Sequence, residues 1–276
     1  GDWSSDVCSS DLVELPTDEA IVDAFIKGLM DHQEKLHFAI GRGRRRVSIG
    51  VHDLSTLKPP FRVVSVPGTT SFTPLASENP MTIDEILKEH PKGVDYAHLL
   101  EGMEAYPLIL DANDDILSFP PIINGKHTTV KQTTRDFFID VTGWDERACE
   151  AAIMLVCLQL MERGGTVETV EVTTCTGEVR TLPNGAGKQH LVPEELVASL
   201  LGRSFSDDEL QTAINRMGGR FDGRQSAPHD APERSTKMAE ASAGSSELIF
   251  TMPRWRFDVL HPVDIVEDLA IGHGYE

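Results

Sequence analysis

Pro253–Tyr275 reads PRWRFDVLHPVDIVEDLAIGHGY. It opens with an extended, aromatic run, Trp255-Arg256-Phe257, and then places Pro262 where a helix begins, the first-turn position that tolerates a missing N–H. Val263, Val266 and Ile265/Leu269 recur at helical spacing, which predicts an amphipathic helix stopped by Gly272 and Gly274. Four carboxylates crowd this stretch: Asp258, Asp264, Glu267 and Asp268. The last three stand at i, i+3 and i+4 and are expected to share one helix face, with Asp258 reaching it from the end of the preceding strand. Two readings are open. One is a solvated acidic face whose first-turn charges complement the helix dipole. The other is an oxygen-ligand site for magnesium, a hard cation that takes carboxylates and water.

Around this stretch lies a chain of 276 residues, enough for about two domains. At 40% apolar residues it can bury real cores, yet no run of eighteen apolar residues exists to span a membrane. Asp and Glu number 44 against 25 Lys and Arg. That balance argues against a broad basic surface for DNA or RNA, so any RNA contact is local unless the chain works in high salt. The four cysteines, Cys8, Cys149, Cys157 and Cys175, show no C-x-x-C spacing. They read as free thiols of a reducing compartment, which points to the cytoplasm.

Residues 1–12, GDWSSDVCSSDL, have the period of neither helix nor strand and no signal-peptide pattern. They are expected to be a non-native leader outside the fold, ahead of a fragment. A helix is predicted from Thr17, with Ile21, Phe25, Leu29 and Leu36 on its buried face. The run Arg42, Arg44, Arg45, Arg46 reads either as a solvated loop or as a phosphate contact. Val47–Val51 alternates as a strand, and Thr82-Ile83-Asp84-Glu85 is a capping box. Strands are expected at 106–110, from Ile116, at 137–143 and at 166–174, with a strongly apolar helix over Asp145–Arg163. In the strand FFIDVTG, Asp140 and Thr142 share a face, because side chains alternate with period two. The composition shifts at 176–190. The domains are therefore expected at 13–175 and 176–276, the second holding two short helices and a later strand in a winged-helix-like outline. Residues 222–246, rich in Ser, Ala, Gly and Pro, read as a mobile insertion. The fold class is α+β: a mixed-sheet domain followed by a small winged-helix-like α+β domain.

The string W-R-x-D, five residues, D-x-x-E-D, then G-Y resembles the domain-five signature of phenylalanine–tRNA ligase beta subunits. QEKLHFAIGRGRRRVSIGVHDL, YPLILDANDDILSFPPIIN and FFIDVTG, in that order, resemble domains three and four of the archaeal and eukaryotic form. This resemblance implies an editing domain that hydrolyses phenylalanine tRNA wrongly charged with tyrosine, with Asp140, Thr142, Ser118 and Leu108 as its site residues. It also implies a magnesium site at Asp258, Asp264, Glu267 and Asp268, where Asp268 stands for the Glu of many relatives. The implied partners are phenylalanine tRNA and an alpha subunit, in an assembly of two alpha and two beta subunits that binds ATP and charges the tRNA. G-x-S-x-G is absent and no Ser/His/Asp order stands out, so a positioned water is expected in place of an acyl-enzyme. His37, His52, His90 and His98 have no metal-ligand spacing and read as core or surface imidazoles. The alternative is a non-catalytic RNA- or protein-binding module of the same fold.

Overall fold

The computed structural model describes residues 4–11, 19–226 and 246–274. It divides into two compact units, residues 1–184 and 185–276. The boundary thus falls inside the composition shift but later than expected, because Val179–Leu182 pairs antiparallel with Thr166–Thr173 and so belongs to the first unit.

In the first unit, the strands are β1 (Ser4–Asp11), β2 (Val47–Asp53), β3 (Arg62–Val66), β4 (Ser71–Phe72), β5 (Met81–Thr82), β6 (Tyr106–Leu110), β7 (Ile116–Phe119), β8 (Ile123–Asn124), β9 (Phe137–Gly143), β10 (Thr166–Thr173) and β11 (Val179–Leu182). The helices are α1 (Glu19–Phe38), α2 (Ile83–Glu89), α3 (Pro91–Tyr96) and α4 (Glu146–Met161). One sheet runs β11-β10-β1-β9-β2 and a second runs β3-β6-β7-β8. Every strand pairing among the described residues is antiparallel, so the α+β class stands with antiparallel sheets where mixed ones were expected.

The expectation that residues 1–12 lie outside the fold is corrected by β1, which sits between β9 and β10. Strand pairing needs only main-chain N–H and C=O groups, so a Ser- and Asp-rich run can enter a ladder without any amphipathic signal.

The five-stranded sheet is two-faced. Val47, Ile49 and Val51 of β2 and Phe137, Ile139 and Val141 of β9 are buried on the face that carries α4. A Cβ on Gly143, of the same parity, would lie 3.0 Å from Cys149 of that helix. Helix α4 is small-sided and apolar there, with Ala148, Ala151, Ala152 and Val156 buried, and Asp145 accepts from Ala148 N as its N-cap. The other parity, Ser48, Gly50 and His52 with Phe138, Asp140 and Thr142, forms the opposite face. Phe138 there packs on Phe61 at 4.1 Å and clusters with Ile109 and Leu117 of the second sheet. The capping box read at Thr82 is present, Glu85 N donating to Thr82 Oγ1 and Thr82 N to Glu85 Oε2.

In the second unit, β12 (Lys188–Pro193), β13 (Arg220–Ser226) and β14 (Ser246–Met252) form a sheet in the order β12-β14-β13. The helices of this unit are α5 (Glu194–Leu201), α6 (Asp207–Arg216) and α7 (Pro262–His273). Strand, two helices, two strands and a helix give the winged-helix-like outline. Val192, Val197, Leu210, Ile214, Leu248, Phe250, Ile265 and Leu269 build its core. Gly272 lets α7 close on α6, since a Cβ there would meet Ala213 O at 2.0 Å. The expected insertion at 222–246 is corrected at both ends: 222–226 belong to β13 and 246 to β14. Gly223, at φ 122°, stands at an irregularity in that ladder, which hid its alternation. Residues 227–245 lie outside the described residues.

Candidate functional site

On the polar face of β2 and β9, Gly50 stands opposite Asp140 and Ser48 opposite Thr142. Asp140 is buried, and its Oδ2 lies 2.7 Å from Nε2 of His52, whose exposure is 0%. The other ring nitrogen, Nδ1, lies 2.8 Å from Thr128 Oγ1. Gly50 is required by this pair: a Cβ there would lie 2.0 Å from Asp140 Oδ2 and 2.7 Å from His52 Nε2. Gly125 is similarly confined, with Ile116 O at 2.4 Å from where a Cβ would be.

A cavity of about 230 Å³ adjoins this network, lined by Gly50 and Thr128, by Ser118 of β7, by Asn124 of β8, and by apolar groups including Ile26, Met30, Phe119 and Ile123. Ser118 Oγ approaches Asn124 Oδ1 at 3.4 Å. A second cavity of about 220 Å³ is lined by Thr142, Arg45, His98 and Trp144, and it shares Arg44 and Pro121 with the first. Thr142 Oγ1 is buried without a hydrogen-bond partner among the described residues. The expected site residues therefore separate. Ser118 lines the larger cavity and Thr142 the smaller. Asp140 lies behind Gly50, and Leu108 is buried in the core cluster with Ile83 and Phe119, lining neither cavity.

The arginine run also separates. Arg44 is buried: its Nη1 donates to Pro121 O and Ile122 O at 3.0 Å, its Nη2 donates to Glu34 at 2.9 Å, and its guanidinium stacks over Tyr96 at 4.4 Å. Arg46 faces Asp145 at 3.8 Å, while Arg42 and Arg45 are exposed. Two of the four thus have internal partners, and the phosphate reading keeps only Arg42 and Arg45. Beside Arg44, His37 Nε2 accepts from Ile49 N at 2.8 Å, so the neutral ring carries its proton on Nδ1, facing Glu34 at 3.5 Å. That contact first, and Arg44 next, hold Glu34 down to about 2, whereas burial holds His37 below the ordinary imidazole value.

In the second unit the four acids do not gather. Arg256 donates to Asp258 Oδ2 at 2.6 Å and to Asp268 Oδ1 at 3.0 Å. Asp264 accepts from Leu260 N and His261 N at 2.7 and 2.6 Å, closing the start of α7. Asp268 is buried on the stripe of Ile265, Leu269 and Gly272, while Glu267 and Val263 are exposed. The single shared face is corrected, since position 268 belongs to both the acidic and the apolar spacing. Among the described residues no group of three or more His, Cys, Asp or Glu side chains is placed to hold a metal ion. The magnesium implied by the sequence resemblance does not fit these four groups, because Arg256 already neutralises two of them and a helix N-terminus takes the third.

Residues 20–174 match the family described as the B3/4 domain, and residues 191–275 match the tRNA synthetase B5 domain. The phenylalanine–tRNA ligase beta subunit of Methanococcoides burtonii is 44% identical over 251 residues, covering 91% of this chain and 43% of that protein. That of Archaeoglobus fulgidus is 40% identical over 283 residues, covering 100% of this chain and 48% of that protein. The crystal structure of an N-terminal fragment of the phenylalanyl-tRNA synthetase beta-subunit from Pyrococcus horikoshii is 30% identical, with a TM-score of 0.79 over 99% of this chain and 71% of that one. The chain belongs to the phenylalanine–tRNA ligase beta-subunit family. It spans less than half the length of the curated beta subunits it matches, 43% and 48% of the two named above. Within the family frame, the first unit carries the B3/4 domain and the second the B5 domain. No helix among the described residues of this family member is long and apolar enough to cross a membrane.

Sequence reading placed His52 as a core or surface imidazole with no site role and passed over Thr128, Gly50 and Asn124. The partners of His52 lie far along the chain: Asp140 is 88 residues away and Thr128 is 76. One signal was present in VSIGVHD, where Ser48, Gly50 and His52 alternate with valines and isoleucine and thus share the face not packed on the helices.

Proposed function

We propose that the B3/4 domain of this chain hydrolyses the ester of tyrosine wrongly joined to phenylalanine tRNA, as part of a ligase beta subunit. The observation that carries this reading is a small cavity whose apolar lining is interrupted by polar groups, Ser118, Asn124, Thr128, Ser48 and Gln33, with Glu34, Arg44 and Lys92 also on its lining and Asp140 beside Gly50. Such a lining accepts an aromatic ring and pairs a phenol hydroxyl. An analogue lacking that hydroxyl leaves buried polar groups unpaired, which is a strong basis for rejection. Thr142, with its unpartnered hydroxyl in the adjoining cavity, and the exposed Arg45 are assigned to the esterified nucleotide end. Ser118 pairs across the ladder with Ile109, and Leu108, the neighbour of Ile109 in β6, packs in the core beneath this sheet. The reaction is assigned to a positioned water.

The rest of the beta-subunit role is proposed with it. The B5 domain supports an alpha subunit that charges the tRNA with phenylalanine at the expense of ATP, in the cytoplasm, in an assembly of two alpha and two beta subunits. Leu260, Val263 and Ile271, exposed on and just before α7, support a docking role. Magnesium belongs, on this reading, to the assembled ligase and not to the Arg256 cluster. The test is release of labelled tyrosine from mischarged phenylalanine tRNA by the purified chain, beside Ser118→Ala and Thr142→Val. Hydrolysis by the unaltered chain that weakens in both variants is expected, and absence of tyrosine release refutes the assignment.

A further inference from the structure

His52 is hydrogen-bonded through both ring nitrogens, to Asp140 Oδ2 at 2.7 Å and to Thr128 Oγ1 at 2.8 Å. A threonine hydroxyl has one proton to give, and Thr128 Oγ1 has two acceptors within reach, Gly125 O at 3.0 Å and His52 Nδ1 at 2.8 Å. With that proton on the Gly125 side, the Thr128 oxygen offers His52 only lone pairs and Nδ1 is the donor. The Nε2–Asp140 contact needs a second proton of its own. In that arrangement, whether the second proton sits on nitrogen or on oxygen, the pair holds one proton more than a neutral imidazole beside a carboxylate. His127, another imidazole that interacts with His52, is held below its ordinary value first by burial and also by His52, with Asp115 and Asp111 acting against both.

We propose that His52 is a positioning residue for the hydrolysis, holding Asp140 and Thr128 in one hydrogen-bonded chain with a shared proton directly behind the cavity wall. Gly50 and Thr128 are that wall, and the missing Cβ at Gly50 gives the pair its room. Without His52, the buried carboxylate of Asp140 would lose its hydrogen-bond partner, which is costly in an apolar interior. The catalytic consequence rests on the editing reading; the shared proton does not.

Two measurements separate these. The first is the ¹⁵N spectrum of histidine-labelled, otherwise unaltered chain, with His52 assigned by its loss in His52→Gln. Both ring nitrogens are expected to carry protons when the shared proton sits on nitrogen, and Nδ1 alone when it sits on Asp140. An unprotonated Nδ1 overturns the shared proton, whether or not the chain releases tyrosine. The second is a cycle of His52→Gln, Asp140→Asn and the double variant in tyrosine release. Each single change is expected to lower kcat by about tenfold or more with little change in KM. The double variant is expected to be no slower than the slower single, as for residues acting as a unit. Multiplying effects, or an unaltered kcat in a folded His52→Gln, overturn the positioning role. A parent chain that releases no tyrosine refutes the editing reading and the catalytic role together, while the spectrum still decides the shared proton.

Discussion

Gly50 faces Asp140 across the β2–β9 ladder with no space for a methyl group between them. Gly50→Ala should therefore cost about 1–3 kcal/mol in urea unfolding, the scale of overpacking in a tight interior. Gly28 is the contrast: it lies in α1 with nothing within 4 Å of a Cβ position. Gly28→Ala should gain about 0.5–1 kcal/mol from helix propensity and the stiffer unfolded chain. Equal effects at the two positions would contradict the tight contact with Asp140.

Arg256 is a second point of strain if disturbed. Its side chain joins exposed Asp258 to buried Asp268, and its charge is favoured first by Asp258. Arg256→Met removes the cation paired with buried Asp268 among the described residues, and the B5 domain should lose about 3–5 kcal/mol, as when one partner of a buried pair is removed. The same arrangement predicts that excess magnesium gives no saturable heat when titrated calorimetrically into the isolated chain. Saturable binding abolished by Asp264→Asn would restore the four acids as a metal site.

The contrast between Asp140 and Asp268 shows what the chain discloses on its own. FFIDVTG alternates over a full strand, so Asp140 and Thr142 could be placed on one face before any partner strand was known. PVDIVEDLAIGH carries two overlapping helical spacings, and only packing on α6 decides that position 268 is buried. His52 and Thr128 come together through register and loop closure over many residues, which no local spacing encodes. Strand β1 went unread for another reason: its ladder is held by main-chain groups, and its side-chain pattern is not that of a strand.

The Glu34–His37–Arg44 cluster predicts the acid response of the B3/4 domain. In the fold Glu34 is held at about 2, below its ordinary value of 4.5, so its ionised form favours folding. That contribution is complete above about 4.5 and is lost as the pH falls through about 2. His37, lowered from 6.5 by burial, stays neutral in the fold and protonates more readily when unfolded, so it too favours folding at higher pH. Stability should therefore fall from pH 6.5 downward, and Glu34→Gln should flatten the lower part of that decline in chemical unfolding series. Because Glu34 is half exposed, solvent screens the effect. A domain more stable at pH 4 than at pH 7 would contradict both assignments.

The most direct test of the editing assignment is the ratio of kcat/KM for tyrosyl- over phenylalanyl-ester on phenylalanine tRNA. A cavity with buried polar groups for a phenol hydroxyl predicts that the tyrosyl ester is preferred by about a hundredfold or more. Asp140→Ala, whose carboxylate lies behind Gly50 in contact with His52, should lower tyrosyl hydrolysis by about tenfold or more, about 1.4 kcal/mol at the transition state. Equal rates on the two esters, or an unchanged rate in a folded Asp140→Ala chain, would contradict the assignment.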